Sequence, residues 1–311
     1  MSDITPVVTV IMPMKNAENF VYDAISSVLN QSFKFFELIV VDDGSTDSSR
    51  KIVELFDDDR ASVIAGPQTG VSDAFNLALS LAKGKYVCNC DSDDLYPENR
   101  LDWQVKWMED HPGFDAVCGT YSTMDPRGNI LSEFDCGQVG ANIGNELLLG
   151  KTRTSFCTFL TKIGAVVELD GCRSYFTTSQ DIDLQLRMAG KYNIWYEPRN
   201  TYYYRLHDSS ITHSQASNKR VFFEDTARKF LKQRVDQGQD DIDRGMPPAI
   251  PDFDLQASSS KHQISGILTS EAWRLHRKGH RVKAVKKGFI ACMNEPASFV
   301  RWRNLLALII K

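Results

Sequence analysis

A mostly parallel β-sheet flanked by helices is the fold class that the sequence predicts, and three observations lead to it. Short β-branched and apolar runs, typical of strands buried on both faces, recur along the first hundred residues. Segments with helical spacing of apolar residues separate these runs, and two of the runs end in acidic clusters. Repeated strand–helix–strand units imply right-handed crossovers and a ligand site at the carboxyl ends of the strands, where both clusters fall.

The elements of this α/β region can be assigned in chain order. Strands are predicted at residues 7–12, 37–41, 61–65 and 85–90. Helices are predicted at residues 24–29, shortly after residue 47, and at residues 74–82. Pro13 is expected to end the first strand, Thr46 or Asp47 to cap the second helix, and Gly84 to close the third.

The pattern becomes mixed after residue 112. Strands are predicted at residues 115–118, 193–197 and 201–206, and helices at residues 142–149 and 179–189. From residue 216 the chain becomes helical and basic, with Pro-rich and Ser-rich interruptions. We therefore predict a main α/β domain over residues 1–215 and a helical C-terminal extension over residues 216–311.

Composition and charge exclude several function classes. The 311 residues include 36 Lys and Arg and 40 Asp and Glu, a net charge of −4, so no nucleic-acid partner is expected. The seven cysteines lack a CxxC pair and indicate buried thiols in a reducing compartment. No apolar run is long enough for a membrane span and no leader pattern is evident, so a cytoplasmic protein is expected.

One acidic cluster, Asp91-Ser92-Asp93-Asp94, follows a predicted buried strand. Alternate residues of an extended segment point the same way, so Asp91 and Asp93 can face one site. Their mutual repulsion requires a cation or several hydrogen-bond donors, and such hard oxygen ligands suit Mg²⁺ or Mn²⁺. The alternative is a solvated turn that caps the helix after Pro97.

The other acidic cluster, Asp42-Asp43-Gly44-Ser45, also follows a strand. Asp-Gly and Ser are common turn and capping residues, so a purely structural turn is one explanation. Because the cluster ends a strand of a parallel sheet, its carboxylates are also placed to accept hydrogen bonds from a nucleotide base or ribose.

Other phosphate and nucleotide chemistries fit the sequence less well. Phosphatases with an aspartate nucleophile also place Asp-x-Asp after a buried strand, but Leu95 stands where they carry Thr or Val. No GxGxxG follows the first strand, which argues against a nicotinamide dehydrogenase, and no GxxxxGK[ST] phosphate-binding loop occurs.

Several segments taken together carry a family resemblance. The matching segments are residues 8–16, 24–32, 36–47, 70–84, 91–94, 180–184 and 204–207. In this order they resemble the family-two glycosyltransferases, which are inverting, nucleotide-sugar-dependent enzymes with the GT-A fold. The resemblance covers roughly residues 7–213, and it implies a GT-A catalytic domain, a nucleotide-sugar donor and a sugar or lipid-linked sugar acceptor.

The resemblance also implies roles for individual residues. It implies nucleotide-sugar binding by Pro13, Asn16, Asp42, Asp43, Asn76, Asp91, Ser92 and Arg205. It implies binding of Mn²⁺ or Mg²⁺ by Asp91, Asp93 and His207, and it makes Asp181 similar to the family's general base. The chain departs from the family pattern at two positions, because Gln180 replaces a commoner Glu and Lys15 replaces a commoner Tyr.

Each of these residues, read alone, has a plainer explanation. Asp181 is typical of a helix N-cap. Asp183 is typical of an exposed partner for Arg187 four residues on, or of a residue that caps the helix itself. His207, beside Asp208, is typical of a loop residue. A non-catalytic protein that keeps the fold and binds nucleotide sugars is therefore the alternative from another functional class.

The C-terminal segment, residues 271–311, interleaves basic and apolar residues. Basic amphipathic helices can lie on anionic membrane surfaces, so peripheral membrane contact is one prediction. Helices that pack on the rest of the protein and keep a solvated basic face are the alternative.

Overall fold

The computed structural model describes residues 5–134, 136–210, 217–253 and 260–310. Contacts divide the chain into two compact units. The first comprises Met1–Tyr121, Asp135–Tyr203 and Arg220–Asp252, and the second comprises Ser122–Phe134, Tyr204–Lys219 and Phe253–Lys311. The predicted boundary between residues 215 and 216 falls outside the described residues and stays a prediction.

The predicted α/β fold class is confirmed. The strands are β1 (Val8–Met14), β2 (Phe36–Asp42), β3 (Ala61–Ala65), β4 (Tyr86–Asn89), β5 (Ala116–Met124), β6 (Ile130–Glu133), β7 (Ala141–Asn142), β8 (Leu160–Lys162) and β9 (Ile194–Arg205). Their order in the sheet is β3-β2-β1-β4-β8-β5-β9-β7, and β6 pairs with β5. Strands β1 to β4 pair in parallel, whereas β8 pairs antiparallel with β4 and β5, so the sheet is mixed.

The helical C-terminal region is also confirmed. The helices are α1 (Val21–Leu29), α2 (Ser49–Val53), α3 (Val71–Leu81), α4 (Arg100–Asp110), α5 (Gly144–Leu148), α6 (Ile163–Val167), α7 (Gln180–Met188), α8 (Ser217–Gln237), α9 (Ser260–Arg277), α10 (Arg281–Asn294) and α11 (Phe299–Ile310). Within the described part of the chain, no helix combines the length and the apolar character needed to cross a membrane.

The core of the first unit joins the sheet to α3, α7 and α8. Strand residues such as Ile11 and Val41 are almost fully buried in it. Phe223 and Phe230 of α8 pack in the same core, with ring centroids 5.7 and 6.1 Å from that of Phe176. Burial of these large rings makes α8 an integral part of the first unit.

The prediction that Pro13 ends the first strand is wrong, because β1 continues to Met14. The carbonyls of Val7 and Ile11 accept hydrogen bonds from the β4 side. Pro13 faces the same side by the two-residue period of a strand, and β4 has already ended at Asn89. The missing N–H of Pro13 therefore removes no hydrogen bond between β1 and β4.

Three other local predictions need correction. Helix α2 begins at Ser49 with Ser48 at the N-cap position, while Asp47 accepts hydrogen bonds from the Ser49 amide and hydroxyl. Helix α3 ends at Leu81, before Gly84. The two strands predicted at residues 193–197 and 201–206 form one strand, β9.

Close contact with β5 explains the continuity of β9. A Cβ atom on Gly119 of β5 would lie only 2.4 Å from the Arg199 carbonyl oxygen. Glycine therefore permits the two backbones to approach closely at the point where Pro198 would suggest a break.

The second unit is built from β6 and helices α9, α10 and α11. Leu131 of β6 packs with Ile264 and Leu268 of α9 in one small core. Ala272, Ala284 and Leu308 form another, which joins all three helices. These helices therefore form a layered assembly with its own apolar interior.

Candidate active site

The Asp91–Asp94 segment forms a tight turn directly after β4. The Asp94 amide donates to the Asp91 carbonyl at 3.1 Å, and the Asp91 amide donates to the Tyr202 hydroxyl at 2.9 Å. Ser92 and Asp94 are buried, whereas Asp91 and Asp93 are half-buried. Helix α4 starts only at Arg100 with Asn99 at its N-cap position, so these carboxylates do not cap it.

The carboxylates of Asp93 and Asp181 both lie within electrostatic reach of the Asp91 carboxylate. Burial, followed by repulsion from Asp93 and Asp181, raises the pKa of Asp91 to about 7. Hydrogen bonds with Asn89 and Tyr202 offset only part of this rise. Residues from the end of β4 and from α7, about ninety positions apart in sequence, therefore share one acidic site.

Asp181, the predicted general base, lies in the first turn of α7. The N-cap position belongs to Ser179, so Asp181 is not the cap that its sequence context suggests. The Ser155 hydroxyl donates to Asp181 Oδ2 at 3.4 Å. Burial raises the pKa of Asp181, and hydrogen bonds from Ser155 and from the backbone of the first turn only partly oppose it.

Asp183, two residues further along α7, has the opposite surroundings. Its side chain is fully buried, and Arg187 Nε lies 2.8 Å from its Oδ2. Arg173 lies 3.8 Å from its other oxygen and also donates to Asp240 at 2.7 Å. The predicted Asp183–Arg187 pair exists, but it is a buried anchor for α7 and not an exposed surface pair.

Asp43 organises the loop that follows β3. Its Oδ1 accepts the Gln68 amide at 2.6 Å, and its Oδ2 accepts the Gly70 amide at 3.0 Å. A Cβ atom on Gly66 would lie 2.9 Å from both the Cα and Oδ1 atoms of Asp43, so only glycine permits this close approach. Asp43 is nearly inaccessible to solvent and fixes residues 66–70 at the carboxyl edge of the sheet.

Asn16 and Asp42 join the loops after β1 and β2. The Asn16 amide oxygen accepts the Thr46 N–H at 2.8 Å, and the Asn16 N–H donates to the Ser45 hydroxyl at 3.0 Å. Asp42 accepts the Ser45 N–H at 2.9 Å. Pro13 is half-buried in β1 beside this junction, so these predicted residues lie at one edge of the parallel strands.

Asn76 makes contacts of a structural kind. Its side-chain oxygen accepts the Cys172 N–H at 2.8 Å, and its side-chain nitrogen donates to the Cys172 carbonyl at 2.7 Å. The amide therefore joins α3 to the backbone at Cys172.

Arg205 and His207 belong to the second unit. The Arg205 guanidinium is buried and donates to the Pro126 carbonyl at 2.9 Å. His207 is also buried, and its Nδ1 atom lies 2.8 Å from the Ser209 hydroxyl oxygen. Their predicted roles at a diphosphate and a cation stay predictions.

Sequence reasoning missed three residues that support the acidic site. Ser155 contacts Asp181, and Tyr202 contacts the backbone of Asp91. Arg100 is fully buried, donates to the Phe159 carbonyl at 3.0 Å and stacks on Tyr96 with its guanidinium carbon 3.9 Å from the ring centroid. Arg100 stands between Asn99 and Leu101 at the start of a helix, and this local sequence does not reveal its partners.

The donor set at Asp91 and Asp93 fits a divalent cation with a limited number of protein ligands. Carboxylate oxygens are hard ligands, and a cation would relieve the repulsion that raises the pKa of Asp91. Among the described residues, no group of three His, Cys, Asp or Glu side chains could enclose a metal ion. A cation here would therefore need phosphate or water oxygens as additional ligands, as Mg²⁺ commonly does.

An α/β sheet with carboxylates gathered at the carboxyl ends of its parallel strands fits a GT-A glycosyltransferase. The family model for glycosyl transferase family 2 matches residues 9–225, more than two thirds of the chain. The chain belongs to this family, and the resemblance inferred from its motifs is confirmed.

Among curated relatives, the chain is similar to the putative teichuronic acid biosynthesis glycosyltransferase TuaG of Bacillus subtilis. The two are 36% identical over 137 residues, which cover 43% of this chain and 54% of TuaG. The chain spans about half or less of the first curated relatives that it matches, down to 20% of a glycosyltransferase from Rickettsia bellii.

Two solved structures share the fold at low sequence identity. TarS of S. aureus in complex with UDP-GlcNAc has a TM-score of 0.63 and 16% identity, covering 92% of this chain and 81% of that one. The mannosyltransferase PcManGT of Pyrobaculum calidifontis, in complex with GDP-Man and Mn²⁺, has a TM-score of 0.54 and 19% identity, covering 98% and 86%.

Proposed function

We propose that this protein is a metal-dependent, inverting glycosyltransferase of cell-envelope glycan synthesis. It moves a sugar from a nucleoside-diphosphate sugar to a hydroxyl group of a sugar or lipid-linked sugar acceptor. The observation that supports this most is the convergence of Asp91, Asp93 and Asp181 from distant segments. The relation to TuaG supports an envelope polymer as the product. The seven free thiols support a cytoplasmic location.

Asp91 and Asp93 are the residues proposed to hold Mn²⁺ or Mg²⁺ against the donor diphosphate. Such an ion, when bound, supplies Lewis-acid stabilisation of the negative charge that grows on the departing diphosphate. The Mn²⁺ and nucleotide sugar bound to PcManGT support the use of a divalent cation, without identifying its ligands in this chain. For Arg205 and His207, contacts with the diphosphate and with the cation respectively are proposed from the family resemblance alone.

The nucleotide is proposed to occupy the edge formed by the loops after β1, β2 and β3. Asp43 holds residues 66–70 in place, and Asn16 ties the first two loops together. Pro13, Asp42 and Ser92 complete the proposed donor-binding set. The Asn76 side-chain amide bonds the Cys172 backbone, and donor binding by Asn76 stays a prediction from the family resemblance.

Asp181 is proposed to act as the general base. It accepts the proton of the acceptor hydroxyl while that oxygen attacks the anomeric carbon, a role that typically contributes a factor of about 10²–10⁴. A raised pKa makes the carboxylate a stronger base. A single displacement with the base and the leaving group on opposite faces of the sugar inverts the anomeric configuration.

Calorimetric titration of the full chain with UDP-GlcNAc and GDP-mannose, each with and without Mn²⁺, tests the donor assignment. We expect at least one of them to bind, and to bind more tightly with Mn²⁺. Asp93→Asn should remove the Mn²⁺-dependent gain. The exposed Asp102→Asn in α4 is the matched control and should keep it.

Lack of binding by both donors under all conditions would count against the proposed donor class. Donor binding without release of nucleoside diphosphate in the presence of acceptors would instead favour the non-catalytic sugar-nucleotide-binding alternative.

A further inference from the structure

The charge of the C-terminal helices differs from that of the rest of the chain. Residues 260–310 contain ten Lys and Arg but only two acidic residues, Glu271 and Glu295, whereas the whole chain has a net charge of −4. Both glutamates are paired, with Arg274 and Arg301 respectively. Helices α9 to α11 therefore form a strongly basic part of an acidic protein.

Helix α10 is apolar on two faces. Ala284, Gly288 and Ala291 are buried, and a Cβ atom on Gly288 would lie 3.0 Å from Leu308 of α11. The other face exposes the residues Val282, Phe289, Ile290 and Met293, of which Val282 is 84% and Met293 58% exposed. Their spacing of seven, one and three residues places them on one side of the helix.

Helix α11 repeats this arrangement. Leu305 and Leu308 are buried against its neighbours. The exposed apolar residues are Phe299, Val300, Trp302, Leu306, Ile309 and Ile310, and their exposed fractions run from 40% to 75%. All of them except Val300 lie on one face, because Phe299, Trp302, Leu306 and Ile309 follow one another by three or four residues and Ile310 lies four residues after Leu306. The packing alternative thus accounts for the buried stripes of both helices but not for the exposed ones, and exposed apolar patches mark interaction surfaces.

A basic residue interrupts each exposed stripe. Lys286 lies four residues after Val282 and three before Phe289, and Arg303 lies three residues before Leu306. Both are exposed, and neither has an ion-pair partner within the described ranges. Long cationic side chains among apolar ones can rest their stems on a hydrocarbon surface and extend the charge to its polar boundary.

A cavity of about 600 Å³ lies between β6, α9 and α10, next to these stripes. Its charged lining comprises five cations and two carboxylates, with apolar residues such as Ile290 beside them: Arg274, Lys278, Lys283, Lys286, Lys287, Glu133 and Glu271. Lys287 is held in place because its ammonium donates to the Ile130 and Leu131 carbonyls at 2.6 and 2.9 Å. Lys283 and Lys286 are exposed and reach the same cavity, so its positive charge is continuous with the α10 surface.

We propose that the exposed faces of α10 and α11 form a docking surface for an anionic phospholipid bilayer. The apolar stripes enter the boundary between headgroups and acyl chains, and the lysines at the cavity bind lipid phosphates. A second copy of this chain fits the same surface less well, because Lys286 and Arg303 would face like charges at a self-complementary interface.

Co-sedimentation of the full chain with vesicles tests this proposal. Vesicles of phosphatidylcholine with 30% phosphatidylglycerol are compared with vesicles of phosphatidylcholine alone, at low and high salt. We expect binding to the anionic vesicles, with a loss as salt rises because the charge component is screened. Failure to bind anionic vesicles at low salt would overturn the proposal.

Two double variants locate the surface. Lys283→Glu with Lys286→Glu should weaken binding about 20-fold or more, since each lysine near an anionic surface adds about fivefold. Leu306→Ser with Ile309→Ser should weaken it about 100-fold, because two apolar side chains no longer enter the bilayer. The matched controls, Lys51→Glu with Lys106→Glu and Leu55→Ser with Val139→Ser, change exposed residues of the first unit and should bind like the wild type.

Equal binding by all four double variants would place the contact elsewhere and overturn the assignment. A concentration-dependent dimer that Leu306→Ser with Ile309→Ser converts to monomer would show that a second copy covers the surface instead. Donor titration in solution should be unchanged in each variant, so this proposal and the proposed function fail by separate measurements.

Discussion

Two carboxylates on the same helix, Asp181 and Asp183, show how neighbouring positions acquire different roles. Asp183 is fully buried and ion-paired with Arg187 and, at longer range, with Arg173. Asp181 is half-buried, has a hydroxyl as its side-chain donor, and faces the acidic turn after β4. The difference teaches that the buried ion pair of Asp183 anchors α7 in the core. Asp181, on the same helix, lacks such a partner and keeps a raised pKa suited to accepting a proton.

The largest expected effect is on turnover by Asp181→Asn. The amide cannot accept the proton, so kcat should fall by about 10²–10⁴-fold. Stability should stay the same or rise slightly, because burial disfavours the ionised carboxylate that the change removes. Initial rates and thermal melting measure the two quantities. A variant that turns over at the wild-type rate would remove Asp181 from the proposed mechanism.

The second prediction concerns Asp183, whose replacement should change stability, whereas replacement of Asp181 should change turnover. Asp183→Asn should lower the free energy of unfolding by about 3–5 kcal/mol, because it leaves buried arginine charge uncompensated. Chemical denaturation measures this change. The control is Glu168→Gln, which breaks an exposed ion pair with Lys191 and should leave stability unchanged. Equal stability of the two variants would contradict the anchoring role of Asp183.

The third prediction is the pH dependence of turnover. An unprotonated Asp181 is required, so kcat/KM should fall as pH decreases through the pKa of this residue. Because that pKa is raised, the fall should begin at a higher pH than the ordinary value of 3.8 would give. The rate profile of the wild type measures it. If kcat/KM instead stays constant down to the ordinary pKa range of aspartate, protonation of Asp181 at a raised pKa does not limit turnover, and the prediction is wrong.

The smallest expected effect is that of Ser155→Ala. The Ser155 hydroxyl donates to the Asp181 carboxylate and favours its ionised form. Its removal should raise the pKa of Asp181 further and shift the acidic limb of the rate profile to higher pH, while kcat at high pH stays nearly unchanged. Ser80→Ala, an exposed serine of α3 that bonds only a local carbonyl, should leave the profile as it is. A uniform loss of rate at all pH values would indicate a structural role instead.

The parts of the fold that could be predicted are those encoded in short stretches. The buried runs of β1, β2 and β4, and the acidic residues that end β2 and follow β4, are visible in a window of ten residues. The mixed part of the sheet was less visible because β8 has only three residues and β9 contains Pro198. Pairing with distant strands, and not local preference, determines those elements.

The candidate site also has a part that could be predicted from the sequence and a part that could not. Motif order pointed to Asp91, Asp93 and Asp181, and the coupling of their carboxylates is consistent with one site. The contacts that hold this site could not be predicted, because they join residues far apart in sequence. Ser155 bonds Asp181 across 26 residues, and Tyr202 bonds Asp91 across 111 residues. No local pattern encodes such a pairing.

Pro13 has a consequence for the shape of the sheet at this edge. Because its nitrogen carries no hydrogen, β1 offers no donor on its β4 side beyond the end of that strand. The backbone carbonyls of the chain after Asn89 therefore find no N–H donor at Pro13, and the chain turns into the Asp91–Asp94 segment. Proline at this position therefore leaves no unpaired backbone donor where β1 extends past its partner, and β1 cannot continue its pairing beyond the end of β4.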